Sequence, residues 1–141
     1  TDDDYQPPSA GASVATLKGS RVSEGGVFGD VYTGYVYMID LKSVRDAAAG
    51  WDKPIPLAPG KHTIMAEYRY SNFKARTTLT LTANAGASYQ LMILHGREST
   101  AEIKRFCDFW IIETATGKIV TKVLRAQALG GKKGTIFNVP T

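Results

Sequence analysis

The alternation of apolar and polar residues between Leu57 and Leu94 constrains the fold most. The segment reads LAPGKHTIMAEYRY and continues as SNFKARTTLTLTANAGASYQLMIL. Ile64, Ala66 and Tyr68 recur at every second position, which is the period of a β-strand with one buried face. Turn-forming residues interrupt the alternation at Pro59-Gly60, Ser71-Asn72 and Asn84–Gly86. The pattern therefore predicts three consecutive strands joined by short turns.

Further strands are predicted on both sides of this block. Val31–Asp40 and Phe106–Ile112 are apolar at nearly every position, which is typical of a central strand covered on both faces or of a strand that runs past the edge of a sheet. An opening strand is predicted at Ser13–Lys18. A closing hairpin is predicted at Glu113–Val120, with glycine at the left-handed position of its Thr116-Gly117 turn. The sole helical pattern is Lys42–Ala49, and a helix of eight residues is marginal without tertiary support.

This element order predicts one domain of the all-β class. Seven to nine short strands with at most one short helix favour an antiparallel β-sandwich of the immunoglobulin or prealbumin type. A chain of 141 residues fits a single domain, which we place at residues 14–141. Within it, Leu79 and Leu81 are predicted to face the interior while Thr78 faces solvent.

The two ends of the chain have loop-like compositions. Residues 1–13, TDDDYQPPSAGAS, bury too little apolar surface to fold and are predicted to form a flexible tether. They are similar to the spacer that follows the lipidated cysteine of bacterial lipoproteins, although an ordinary frayed terminus is the alternative. Near the other end, Gly130–Gly134 predicts a mobile basic loop, and Ile136–Val139 a short edge strand closed by Pro140.

The charge distribution is asymmetric. The net charge is +4, and Asp2–Asp4 contribute −3 of it, so the remaining residues carry +7. A moderately basic body favours anionic neighbours such as lipid headgroups, acidic glycans or nucleic acid. The alternative is a solvated basic surface without a specific partner.

The sequence contains none of the common catalytic motifs, including G-x-S-x-G, H-E-x-x-H and the phosphate-binding G-x-x-x-x-G-K. Cys107 is the single cysteine and lies in an apolar run, which predicts a buried, unreactive thiol. His62 and His95 could bind zinc together with Cys107 or Asp108, but their spacing matches no metal signature. We therefore predict no catalytic residue, no metal and no cofactor, and keep a metal-dependent or Cys/His hydrolase as a remote alternative.

Aromatic and basic residues are the candidate binding groups. Trp51 stands in a loop between Gly50 and Asp52, where it could anchor a partner or close one end of the sandwich. Arg69, Lys74 and Arg76 are predicted to cluster on the outward faces of paired strands, where they could contact phosphates, sulfates or acidic protein. Tyr70 completes this predicted binding set.

Two short motifs carry a resemblance to a known family. Val36–Asp40, VYMID, is followed after a loop by Pro56–Ile64, PLAPGKHTI. The pair resembles the "V-x-I-D-G" and "L-x-P-G-x-H-x-I" motifs of bacterial envelope domains of the PEGA and prealbumin-like type. The likeness covers about residues 31–95, and Leu41 stands where the family usually has glycine.

The resemblance implies a non-enzymatic module outside the cytoplasm. Such a protein would be a bacterial lipoprotein, periplasmic or attached to the outer membrane after removal of a signal peptide, and it would meet the membrane only through an N-terminal lipid anchor. Its expected partner is an envelope protein or an anionic glycan or lipid surface. The alternative from the residues themselves is a β-domain that binds polyanions or nucleic acid, without a recognisable nucleic-acid motif.

Overall fold

The computed structural model describes residues 3–9, 13–24, 29–99 and 103–130. These residues contain ten strands and no helix. The strands are β1 (Ala15–Lys18), β2 (Ser20–Glu24), β3 (Asp30–Ile39), β4 (Lys42–Ser43), β5 (Ile55–Leu57), β6 (Gly60–Tyr70), β7 (Phe73–Ala83), β8 (Ser88–Ser99), β9 (Ile103–Glu113) and β10 (Leu124–Ala128). The predicted Gly130–Gly134 loop lies largely, and the Ile136–Val139 strand wholly, outside the described residues.

The strands form two sheets that pack face to face. The first sheet has the order β2-β3-β6-β7, with β4 paired to β3, and the second has the order β10-β9-β8-β1-β5. All neighbouring strands are antiparallel except β1 and β8, which run parallel. The structure thus confirms an all-β sandwich. The predicted count of seven to nine strands is low, because β4 and β5 are too short to show a periodic pattern.

The three strands predicted between Leu57 and Leu94 are confirmed as β6, β7 and β8. A two-residue turn joins β6 to β7, and Tyr70 pairs with Phe73 across it. Ser71 adopts a φ of 54°, in the left-handed region that such turns require. Leu79 and Leu81 are buried as predicted. Among the described residues, no helix is long and apolar enough to traverse a bilayer.

The prediction that Val31–Asp40 is an interior strand is confirmed, because β3 lies between β2 and β6. A bulge between Val36 and Met38 shifts its register against β6. The bulge lets both Val36 and Ile39 face the core, although strict alternation would place them on opposite faces. Gly34 allows close packing of the sheets, since a Cβ there would lie 2.5 Å from Cγ2 of Ile93.

The helix predicted at Lys42–Ala49 is wrong. Lys42 and Ser43 form β4 instead, and residues 45–52 form turns. The Ser43 amide donates to the Asp3 carbonyl at 2.8 Å and the Val44 amide to that of Tyr37 at 3.0 Å. These long-range bonds satisfy the backbone better than one short helical segment can, because helix nucleation is unfavourable.

The hairpin predicted at Glu113–Val120 forms only in part. Gly117 has a φ of 74°, which confirms the glycine-dependent turn. The returning chain makes one bridge, Ile119 to Ile112, and regular pairing with β9 resumes at Leu124. After the bridge, the Val120 amide donates to the Ile111 carbonyl at 2.9 Å, and the Thr121 hydroxyl accepts a hydrogen bond from the Ile111 amide at 3.0 Å. Only Lys122 and Val123 therefore lie outside the pairing with β9.

The described residues of the N-terminal segment contact β4 and β5. Within the predicted tether, Asp4 bridges Ser43, and the Tyr5 amide donates to the Ser43 carbonyl at 2.7 Å. The Tyr5 hydroxyl donates to the Pro56 carbonyl at 2.6 Å. Residues 1–2 and 10–12 lie outside the described part of the chain. The first residues of the predicted tether are therefore hydrogen-bonded to β4. No pattern in the sequence indicated this contact.

Candidate binding surface

The outer face of the first sheet gathers polar and aromatic side chains in two cross-strand rows. In one row, Glu67 lies between Tyr35 of β3 and Arg76 of β7. In the next row, Arg69 lies between Thr33 and Lys74. These rows arise because directly opposite residues of a sheet share a face. We call this surface the arginine–tyrosine face. It comprises Arg21, Thr33, Tyr35, Tyr37, Glu67, Arg69, Lys74 and Arg76.

A buried carboxylate lies at the centre of the arginine–tyrosine face. Glu67 is 2% exposed, although it points away from the core between the sheets. Its Oε1 accepts a hydrogen bond from the Tyr35 hydroxyl. Its Oε2 accepts one from Nε of Arg76 at 2.7 Å, and Nε of Arg69 lies 3.4 Å from Oε1. Both carboxylate oxygens are therefore satisfied, as a buried charge requires.

These contacts set the protonation states of the cluster. Burial by itself would raise the pKa of Glu67, but hydrogen bonds from Tyr35 and Arg76 and the two arginine charges outweigh burial and hold that pKa below its usual range. The pKa of Tyr35 is raised, first by burial and then by its bond to Glu67. The bond to Glu67 also raises the pKa of Arg76. At neutral pH the cluster holds one carboxylate and two guanidinium groups, a net positive charge.

The arginines rest on aromatic rings. The guanidinium of Arg76 lies 4.6 Å from the ring centre of Tyr37, and that of Arg69 lies 5.9 Å from the ring centre of Tyr35. Such cation–π contacts orient a guanidinium without removing it from water. The side chains of Arg69 and Arg76 remain 47% and 60% exposed. They are held in fixed positions and still accessible to a ligand.

The structure brings most of the predicted binding residues together. Arg69, Lys74 and Arg76 share the arginine–tyrosine face, as the alternation predicted. Trp51 lies at its margin, partly buried, with the Arg21 guanidinium 4.8 Å from its ring centre. The Trp51 carbonyl accepts the Gly19 amide at 2.7 Å, which fixes the loop that carries it.

Tyr70 does not join this group. Its hydroxyl donates to Asp30 at 2.9 Å, and its ring stacks on Phe73 with 6.3 Å between centroids. Neighbouring residues of a strand point to opposite faces, so Tyr70 lies on the side of the sheet away from Arg69. Tyr70, predicted as a binding residue, therefore lies outside the arginine–tyrosine face.

Sequence reasoning missed Glu67 and Tyr35 as members of the site. One signal could have found the Glu67–Arg76 pair. The two-residue turn at Ser71-Asn72 sets the β6–β7 register, and in that register residue 67 stands opposite residue 76. The contribution of Tyr35 depends on the pairing of β3 with β6, which no local pattern specifies.

His62 links the two motifs that carry the family resemblance. Its Nδ1 lies 2.7 Å from Oδ2 of Asp40, and its Nε2 lies 2.6 Å from the Ala58 carbonyl. Oδ1 of Asp40 accepts the Thr63 amide at 2.8 Å, and Asp40 has a φ of 52°. The histidine thus holds the end of β3 against the start of β6. These contacts account for His62 as a residue that shapes the turn.

His95 and Cys107 are directly opposed in β8 and β9, but their surroundings differ from those of a catalytic pair. The His95 ring stacks on Tyr32 at 3.6 Å and Nε2 lies 3.3 Å from Glu24. Cys107 is fully buried, and burial raises the pKa of its thiol. Within the described ranges, no three His, Cys, Asp or Glu side chains are grouped to hold a metal ion.

Asp108 faces away from Cys107 and pairs with Arg125. The Arg125 Nε and Nη2 atoms donate to the two carboxylate oxygens at 2.8 and 3.1 Å. This bidentate geometry commits the carboxylate to a cross-strand ion pair on the outer face of the second sheet. A site that combines His95, Cys107 and Asp108 is therefore not assembled.

Comparison with known proteins returned no match. No family model, no curated protein and no solved structure matches this chain. The resemblance to envelope domains of the PEGA and prealbumin-like type accordingly stays a prediction from the two motifs.

The lowered pKa of Glu67 makes stability depend on pH. A carboxyl whose pKa is lower in the folded protein than in the unfolded chain stabilises the fold above its unfolded pKa, here near 4.5, and this contribution is lost as the pH falls through the folded pKa. We expect the free energy of unfolding to fall as the pH drops below about 5, and to fall less steeply in Glu67→Gln. Urea denaturation at several pH values measures both slopes. Equal pH dependence of the free energy of unfolding in the wild type and in Glu67→Gln would contradict the assignment of this effect to Glu67.

Proposed function

We propose that the protein is a non-enzymatic binding module of the bacterial cell envelope, and that its arginine–tyrosine face contacts an anionic glycan or lipid surface. The observation that carries the proposal is the pair of exposed guanidinium groups of Arg69 and Arg76, anchored on Glu67 and stacked on tyrosine rings. Guanidinium groups bind carboxylates, phosphates and sulfates through paired N–H donors.

The way in which the arginines are held favours a binding role for the arginine–tyrosine face over a solubilising one. Solvated arginines lose side-chain entropy when a ligand fixes them, which weakens binding. Arg69 and Arg76 are already held by the buried carboxylate, so this cost is reduced. Arg69 lies beside Lys74 in its cross-strand row. Thr33 lies on the other side of Arg69, and its hydroxyl accepts a hydrogen bond from Nε of Arg21 at 3.0 Å. A repeating acidic polymer would meet several cations at once.

The envelope location is supported by the sequence alone. The acidic, proline-containing segment 1–13 is similar to a lipoprotein spacer, and the motifs around Asp40 and His62 resemble those of envelope domains. The native precursor is the direct test. We expect a signal peptide with a lipidation cysteine encoded ahead of this segment, and fractionation of the native host to place the protein with the envelope.

Heparin affinity chromatography tests the face itself, with heparin as a model polyanion. We expect the double variant Arg69→Gln/Lys74→Gln to elute at lower salt than the wild type and with a shallower salt dependence, because two anion contacts are lost. The matched control is Lys18→Gln/Lys104→Gln, which removes the same charge from the second sheet. Equal shifts of the elution salt concentration in the two double variants would mean that heparin responds only to net charge, and this would contradict the arginine–tyrosine face as the binding site.

A further inference from the structure

β7 is an edge strand, and half of its backbone groups point away from β6. Because the two-residue turn makes Tyr70 and Phe73 a hydrogen-bonded pair, the odd-numbered residues of β7 bond to β6 and the even-numbered residues face the edge. Lys74 is the first of these, and it exchanges two hydrogen bonds of 2.8 Å with Leu129. That reciprocal pair shows that the edge accepts a strand.

Beyond Lys74 no described strand forms a further ladder with this edge, although β10 lies close to β7. The next edge-facing residues are Arg76, Thr78 and Thr80, and among the described residues no backbone hydrogen bond from a neighbouring segment reaches them. The sequence here is TTLTLT, from Thr77 to Thr82. It has high β-propensity and no charge or proline, so it lacks the features that normally keep an edge from pairing with another chain.

A cleft of about 720 Å³ opens beside this edge. It is lined by Thr78–Thr80 on one side and by Ile119–Lys122 and Leu124 on the other. On its far side, Val120 and Thr121 of the segment between β9 and β10 still bond to Ile111 of β9. Ile119 and Val123 are half exposed in that segment, which supplies apolar surface next to unpaired backbone.

We propose that the β7 edge and this cleft form a docking site for an extended peptide segment of a partner protein, which adds to the first sheet as a further strand. Backbone groups of Thr78 and Thr80 would pair with it, as Lys74 pairs with Leu129. Its alternate side chains would be apolar, because those on one face meet Leu79 and Val120. This site uses backbone groups of β7, whereas the arginine–tyrosine face uses side chains of the same strand.

Charge complementarity favours an acidic partner segment. Among the described residues that line the cleft, Lys122 is the one that carries a charge. Lys74 lies on the same strand and adds a second positive charge. An acidic residue flanking the docked strand would meet these cations, whereas a basic segment would be repelled.

Amide hydrogen exchange measured by NMR tests the proposal, with the capped synthetic peptide EVTVTVE as the probe. With free peptide about tenfold above its Kd, exchange of the Thr78 and Thr80 amides should slow about tenfold. The Leu79 and Leu81 amides, which already bond to β6, should not change. The control peptide EVTPTVE lacks the central N–H donor and should bind far more weakly.

Lys122→Glu tests the charge preference. We expect this variant to lose affinity for EVTVTVE and to gain affinity for KVTVTVK. Equal effects of EVTVTVE and EVTPTVE would overturn strand addition. Protection of Thr78 and Thr80 in the free, dilute protein would overturn the proposal by showing that the protein's own chain fills the edge. Protection that rises with protein concentration alone would overturn it in favour of a second copy.

Discussion

Leu79→Asp should unfold the protein or lower its free energy of unfolding by more than about 4 kcal/mol. Leu79 is 1% exposed and lies opposite Ile64, between the two sheets. The core around it is apolar, so a carboxylate at this position would be buried without a partner. Urea denaturation followed by circular dichroism measures the loss, and a chain that is unfolded in buffer also satisfies the expectation.

Thr78→Asp is the matched control, one residue away. The Thr78 side chain is exposed on the outer face of the first sheet, so a carboxylate there remains in water. We expect a change within about 0.5 kcal/mol. Comparable losses of unfolding free energy in Leu79→Asp and Thr78→Asp would mean that the buried and exposed faces of β7 are assigned wrongly.

β6, β7 and β8 were predictable because one face of each is apolar and the other polar, and because their turns are short. Lys42–Ala49 was not predictable in the same way. Its composition favours a helix weakly, but its backbone bonds to Asp3 and Tyr37, which are distant in sequence or on another strand. Local propensity is a weak prior that such tertiary pairing overrides.

The candidate site was predictable to the same extent as the strand register. Alternation and a short turn place Arg69, Lys74 and Arg76 on one face. The same alternation separates Tyr70 from Arg69, so including Tyr70 in the binding set contradicted the pattern itself. From the alternation alone, Glu67 is predicted to be exposed to solvent. Its burial depends on Tyr35, which is 32 residues away and is brought next to it by the pairing of β3 with β6.

Removal of the buried carboxylate should have the second-largest effect. We expect Glu67→Ala to lower the free energy of unfolding by about 3 kcal/mol at pH 7, because breaking a buried ion pair leaves its partners unsatisfied. The Tyr35 hydroxyl loses its acceptor in a buried position, and Arg76 and Arg69 are left as neighbouring like charges. Both arginines are exposed enough to turn toward water, which keeps the loss below the upper limit for a fully buried pair.

Asp108→Ala provides the comparison for this loss. It also removes a carboxylate from a cross-strand arginine pair, but that pair is on the outer face of the second sheet with Arg125 half exposed. We expect a cost of about 1 kcal/mol or less there. Denaturation curves of the two variants, recorded under the same conditions, measure the difference.

A double-mutant cycle separates the tyrosine contribution from that of the arginines. Tyr35→Phe by itself should cost about 1 kcal/mol, since Glu67 keeps both arginines. In the Glu67→Ala background the same change should cost less or become stabilising, because it then removes an unsatisfied hydroxyl. Additive losses would mean that Tyr35 and Glu67 do not interact. The arginine–tyrosine face would then lack its central anchor, and Arg69 and Arg76 would be ordinary solvated cations with no reason to favour one ligand geometry.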